Sequence, residues 1–341
     1  MLKVIKHGAI LKPSKLVFEN KSVFNPGIYQ DGDTVHVMYR AVNKKYESCF
    51  GYACLDGPLD VVKRWKKPIY RPKLSYESKG IEDPRITKID DTFYVSYVAH
   101  DGRHAVTAYM YGNDLFKLKR GGIISTTMMY RDALTYMENA KLKDDYYFFA
   151  SFYEKFSGKN VKVWEKDGLI FPEKIKGKYA FLHRTLPDIQ LALFKDFKKL
   201  KDNKYWQRHF KTLDKHVVLE GRHGWEARHI GGGAPPIKTK HGWLLIYHGV
   251  EPRNSGRIYY AGAALVDLKN PTKEIARLPK PLFVPEHDNE RNGLVHNVVF
   301  PTGTAIFDDK LYIYYGSADS RVSVASVKMD SLLKELLKNK T

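Results

Sequence analysis

Two adjacent carboxylates ahead of a proline and an arginine, Gly80-Ile81-Glu82-Asp83-Pro84-Arg85, are the place in this chain best suited to acid–base chemistry. A positioned carboxyl can give a proton to a leaving oxygen. The proline keeps Asp83 out of the right-handed helical region and extends the chain around it. On a regular strand neighbouring side chains point to opposite faces, so only one of Glu82 and Asp83 is expected at any one site. By the same period Arg85 shares the face of Asp83, where it could hold that carboxylate or bind substrate. An Asp-Pro turn with a surface ion pair would read the same way.

A second group of residues is cationic and comes from distant places. Lys166 precedes Asp167-Gly168, Arg184 follows Tyr-Ala-Phe-Leu-His, His229 precedes Ile-Gly-Gly-Gly, and His248 follows Leu-Leu-Ile-Tyr. Each ends or flanks an apolar strand pattern. Gathered at one rim they would make an oxyanion site, because Arg and Lys donors match the oxygens of a phosphate. Taken singly, each is a surface cation or a hydrogen-bonded core histidine.

The elements that must position these groups repeat. A turn residue, then an alternating aromatic and aliphatic strand, then a polar or ionisable residue occurs at Asp33–Arg40, Asp91–His100, Gly177–Arg184, Gly242–His248 and Lys310–Gly316. These copies start 58, 86, 65 and 68 residues apart, and a partial sixth, Asp145–Ser151, falls in the long gap. Five similar units with one insertion suit an all-β fold, a five-bladed β-propeller whose strands converge on a central channel with chemistry at its mouth. A β-sandwich would lack the super-period of about 60 residues. Helix signals are nearly absent until Asp330-Ser331, which can cap Leu332–Asn339. The expected organisation is a catalytic domain over 1–328 and a short amphipathic helix over 329–341. That helix would pack on an outer blade or a partner subunit. The insertion around 124–163 could cover the channel or make a contact in a homo-oligomer.

Composition narrows the function classes. Hydrophobic residues make up 43% and the 23 tyrosines favour strands, so a sizeable ordered core is expected. The net charge of +19 suggests an anionic partner, but Lys and Arg are spread without a dense stripe, which argues against nucleic acid and fits a small anion such as phosphate. No window reads as a leader or a membrane span, so the protein is expected to be cytoplasmic, with no membrane partner. Cys49 and Cys54 read as buried thiols rather than a disulfide or zinc pair. Gly231-Gly232-Gly233 lacks the spacing of a nucleotide loop and reads as a place of close backbone approach. No metal-ligand spacing and no cofactor motif stands out.

Nine segments, in order, resemble the β-mannoside phosphorylases of glycoside hydrolase family 130. They are Val23-Phe-Asn-Pro26, Met38-Tyr-Arg-Ala41, Gly80–Arg85, Gly168–Ile175, Gly177-Lys-Tyr179, Ile230–Ile237, Gly242–Gly249, Asn297–Pro301 and Tyr314–Asp319. The resemblance implies a five-bladed propeller that cleaves a β-mannoside with inorganic phosphate as co-substrate, inverting the anomeric centre to give α-mannose 1-phosphate. Asp83 would be the sole proton donor, acting through the mannose 3-hydroxyl. Lys166, Arg184, His229, His248 and Tyr259 would bind phosphate, and Asn25, Arg40, Arg85 and Asp319 the sugar. An inverting glycosidase needs a second carboxylate to activate water, whereas phosphate is already a nucleophile and needs cations. One acid with a cation cluster fits that requirement. His229 stands where many members carry Lys, which would weaken phosphate binding or make it pH-dependent near neutrality. Some relatives are hydrolases, so a β-mannosidase is the alternative, and a non-catalytic glycan-binding propeller is the remote one. The Arg228–Gly233 segment leans towards β-1,2-linked substrates over β-1,4.

Overall fold

The computed structural model describes residues 2–254 and 256–341, and its chain is mostly antiparallel β-strand with few helices. The five sequence copies fall on strands, each the second strand of a four-stranded unit. The first unit is Ser22–Asp31, Thr34–Val42, Ser48–Asp56 and Asp60–Arg64. The second is Gly80–Ile89, Thr92–His100, Ala105–Gly112 and Lys119–Ile123, tied to the first by one parallel bridge, Ser48 to Gly80. The third is Leu169–Ile170, Tyr179–His183, Ile189–Phe194 and Val217–Leu219. The fourth is His229–Gly232, Gly242–Arg253, Gly256–Val266 and Glu274–Arg277, with Ile237–Thr239 added beside its second strand. The fifth is Val299–Phe307, Lys310–Ser317 and Arg321–Lys328, completed by the N-terminal strand Val4–Leu11.

The strands alternate side chains to two faces, and both faces are covered, so apolar residues fill nearly continuous runs. Five apolar clusters result, one between each pair of consecutive units. Val37, Tyr39 and Val324 lie between the fifth and first, and Met38, Ile81 and Val95 between the first and second. Ile89, Ile170 and Phe181 join the second to the third, Leu182, Trp243 and Leu245 the third to the fourth, and Leu244, Val299 and Ile313 the fourth to the fifth.

A buried glutamate anchors each unit. Glu19, Glu77, Glu226 and Glu290 accept from Tyr39, Tyr97, Tyr247 and Tyr315 at 2.5–2.7 Å and pair with Arg64, Arg120, Arg277 and Lys6. The third unit departs from this pattern. Glu165 faces His183 Nδ1 at 3.1 Å and accepts from Thr185 Oγ1 and the Arg184 backbone N–H. His183 Nε2 lies 2.9 Å from His209 Nε2.

The insertion is helical, which corrects the reading of Asp145–Ser151 as a partial strand copy. α1 (Tyr130–Met137) and α2 (Asp145–Ser157) bury Tyr130, Ala133, Met137, Tyr146, Phe149 and Ala150. The aromatic run has strand propensity, but its burial follows helical spacing, and packing overrides a weak local preference. α3 (Asn203–Lys211), also unforeseen, is capped by Asp202, whose side chain accepts from the Lys204 backbone N–H, and it buries Trp206, His209 and Phe210. α4 is the short Asp288–Arg291. α5 (Met329–Lys338) starts ahead of the expected cap and sets Leu332, Leu333 and Leu336 into the core between the fourth and fifth units. Cys49 is buried and Cys54 half-buried, both as free thiols. No helix among the described residues is long and apolar enough to cross a membrane.

Candidate active site

Asp83 lies on a bulge. Glu82 pairs with Val98 and Arg85 with Ser96, so Asp83 and Pro84 together oppose the single residue Tyr97. Proline cannot donate to the ladder, and a bulge is where a strand tolerates it. The first unit repeats the device: Asn25 and Pro26 oppose Tyr39. The two bulges pack together, and Gly27 allows this, since a Cβ there would sit 2.8 Å from the Pro84 carbonyl oxygen. Asn25 Nδ2 thereby donates to Asp83 Oδ1 at 2.9 Å.

The bulge overturns the expectation that Glu82 and Asp83 face apart. Arg40 meets both, Nη2 to Glu82 Oε1 at 2.6 Å and Nη1 to Asp83 Oδ1 at 3.4 Å. The period-two argument for Arg85 fails for the same reason. Its side chain is 1% exposed and runs behind the cavity wall, with Nη1 donating to the Asp83 carbonyl at 2.9 Å and Nε to the Gly233 carbonyl at 2.5 Å.

A cavity of about 240 Å³ opens beside Asp83. Asn25, Arg40, Lys166, Arg184, His229, His248, Tyr259 and Asp319 line it, as do Asp167, Trp164, Tyr153, Arg257 and Phe300, which the sequence did not single out. Asn25, Asp83, Asp167 and Asp319 all have φ between 47° and 61°. Left-handed backbone at non-glycine residues costs on the order of 1–3 kcal/mol each and persists where the surroundings over-determine it. Four such residues around one cavity mark a built site.

One side of the cavity is rich in carboxylates and internally paired. Lys166 Nζ reaches Glu82 Oε2 at 3.2 Å, so this lysine stands with the carboxylates. Burial opposes ionisation of Glu82, yet Arg40 and Lys166 outweigh it and hold the carboxyl down to about 2. Asp319 is pushed up to about 6 by burial, with Arg40 opposing and Asp83 adding to the rise.

The other side is rich in polar nitrogens that have no partner among the described residues. Arg85 Nη2, Arg184 Nε, His229 Nδ1 and both ring nitrogens of His248 are buried without a hydrogen-bond partner among the described residues. Buried polar groups are ordinarily paired, so a cluster of exceptions points to a ligand. Burial, then Arg184 and His248, hold the His229 imidazole well below its usual range; burial, then Arg184 and Arg85, do the same for His248. His229 is thus neutral at pH 7, which corrects the expectation that it titrates near neutrality. Phe300 packs 4.4 Å from His248, ring centroid to ring centroid, and Tyr259 lies 6.0 Å away.

Asp167 sits among these donors. Its Oδ2 lies 2.5 Å from Arg184 Nη1 and 3.8 Å from His248 Nε2, and its Oδ1 lies 3.9 Å from Arg85 Nη2. The glycine run makes room, as expected: a Cβ on Gly231 would meet Asp167 Oδ2 at 2.7 Å. α2 contributes Tyr153 to the cavity wall and sets Phe149 edge-on against His229, so the insertion borders the site.

Comparison with known proteins places the chain among carbohydrate-active enzymes. The model of glycoside hydrolase family 130, described as beta-1,4-mannooligosaccharide phosphorylase, matches residues 5–338. A 1,2-beta-oligomannan phosphorylase of Thermoanaerobacter sp. (strain X514) is 32% identical over 97% of this chain and 98% of its own. A beta-1,2-mannobiose phosphorylase of the same strain is 33% identical over 95% and 96%. The solved structure of the Listeria innocua beta-1,2-mannobiose phosphorylase with beta-1,2-mannobiose superposes with a TM-score of 0.73 at 25% identity, covering 98% of this chain and 99% of that one. With a family match across almost its whole length, the chain belongs to glycoside hydrolase family 130.

Proposed function

We propose that this protein cleaves β-mannosides by inverting phosphorolysis, giving α-mannose 1-phosphate and a shortened acceptor. The observation that carries the reading is the set of unpartnered nitrogens on Arg184, His229 and His248, which line the cavity with Asp83, backed by Arg85 behind its wall. Asp83 gives its proton, through the mannose 3-hydroxyl, to the glycosidic oxygen. Its Oδ1 is held by Asn25 and Arg40, which leaves Oδ2 for the proton. Phosphate attacks C1 from the opposite face as the C1–O bond breaks, so one acid suffices and no carboxylate need activate water. Asn25, Arg40 and Asp319 bind the sugar, and Arg184, His229, His248 and Tyr259 the phosphate. Lys166 holds Glu82 at the cavity wall, and Arg85 steadies the Asp83 backbone. The five units, each packed on the next and the fifth on the first, support a five-bladed propeller over 1–328, closed by the N-terminal strand, with α5 appended.

Incubation with β-1,2- and β-1,4-mannobiose, with and without phosphate, tests the reading. Phosphorolysis gives mannose 1-phosphate only when phosphate is present, and the names of the full-length relatives favour the β-1,2 substrate. Asp167 supplies the one observation for a second reading, a β-mannosidase in which this carboxylate activates water. Free mannose released without phosphate is its signature.

A further inference from the structure

We infer that Asp167 accepts a hydrogen bond from the hydroxyl of the bound phosphate, so that the site takes phosphate and excludes sulfate. The inference rests on the phosphorolysis reading. A ring of cations alone would hold any tetrahedral dianion of this size. A buried carboxylate within the ring changes the selection. It repels an oxyanion that carries no proton and accepts a charge-assisted hydrogen bond from one that does. Phosphate keeps a hydroxyl in both its monoanion and its dianion, and sulfate has none at neutral pH.

The geometry requires a ligand of mixed character. Asp167 is 3% exposed, and Arg184 engages its Oδ2. Asp167 lines the cavity, and its Oδ1 lies 3.9 Å from Arg85 Nη2, beyond hydrogen-bond reach. Near that carboxylate stand the unpartnered nitrogens of Arg85, Arg184 and His248. A ligand that completes the set must accept several hydrogen bonds and donate one. Were Asp167 only a counter-ion for Arg184, it would need no place in the cavity. No bond is made or broken at Asp167 during turnover.

The test compares sulfate with phosphate. In the wild type, sulfate should inhibit mannose 1-phosphate formation only at concentrations at least about 10²-fold above the KM for phosphate, as for a site that rejects an analogue lacking one hydrogen-bonding group. In Asp167→Asn, whose amide can donate, the sulfate inhibition constant should approach the phosphate KM. Melting curves of the wild type give a readout independent of turnover: phosphate should raise the melting temperature and equimolar sulfate should not. A wild-type sulfate inhibition constant close to the phosphate KM, or equal stabilisation by the two anions, overturns the inference even if the variant fails to fold. So does an Asn variant with an unchanged phosphate-to-sulfate ratio. Free mannose formed without phosphate overturns the phosphorolysis reading itself, and product identity separates the two failures.

Discussion

The two sides of the cavity solve opposite electrostatic problems. Around Asp83 the charges satisfy one another: Arg40 bridges Glu82 and Asp83, Lys166 completes Glu82, and Asn25 fixes Asp83 Oδ1. Around Arg184 several polar nitrogens lack partners, and among the described residues Asp167 is the only carboxylate that pairs with this group. The paired side meets its own charges before any ligand binds. The unpaired side, on the reading proposed above, is completed by an anion. Preorganised donors in a site shielded from water are worth more than the same donors in solvent, because they need not reorient during the reaction.

Removing the proton from the paired side should have the largest effect. Asp83→Asn keeps the contacts to Asn25 and Arg40 but cannot donate, so kcat should fall about 10²–10⁴-fold, the share general acid catalysis commonly supplies, with the melting temperature unchanged. Near-normal turnover would overturn the donor role of Asp83. On the unpaired side, Arg184→Ala should lower kcat/KM for phosphate by about 10²–10³-fold and leave KM for the mannoside unchanged. An equal loss on both substrates would erase the functional distinction between the sides.

Stability should depend on pH through the buried imidazoles. His209, His229 and His248 are held well below 6.5 in the folded protein, burial being the largest cause. Below about pH 6.5 the unfolded chain takes up protons that the folded chain refuses, so stability is lost as the pH falls. Asp319, whose carboxyl is raised, acts with the opposite sign but is outnumbered. Denaturant titrations from pH 7.5 to 5 should show the decline, and His209→Gln, remote from the cavity, should flatten it by up to about 1.4 kcal/mol per pH unit. A flat wild-type profile would contradict neutral burial. The smallest effect should come from Asp319. It ionises near pH 6 and then offers charged acceptors to the sugar hydroxyls, so KM for the mannoside should tighten a few-fold as pH rises through 6. Asp319→Asn should abolish that pH dependence without altering the phosphate KM.

A second contrast sets the third unit apart. Four units clamp their buried glutamate between a tyrosine hydroxyl and a long cation, and the third does not. There Glu165 accepts from the Arg184 backbone and lies next to Lys166 and Asp167 in sequence. The glutamate that anchors a fold contact elsewhere here positions the residues of the cavity.

Period-two patterning and turn residues were enough to locate the second strand of every unit, and three of their end residues, Arg40, Arg184 and His248, line the cavity. The glycine run was legible because only a missing side chain permits close approach, whereas Asp83-Pro84 stood out for its residue types but was read as extended strand, and the bulge that gives Asp83 a φ of 51° was not foreseen. Strand patterning and the glycine run are local preferences, written in consecutive residues. The joining of Glu82 to Asp83 on Arg40 was not legible, since it follows from the size of a bulge that changes which face a side chain takes. Asp167 was hidden because its meaning depends on Arg184 and His248, brought from other strands. The helices of the insertion were misread because an aromatic run has the same composition in a strand as in a buried helix, and only the surface it packs on chooses between them. Sequence alone determined the repeating strands and the residue types able to do chemistry. The packing of five units decided which of those residues meet, because contacts between distant segments depend on how whole units stack rather than on any local run of residues.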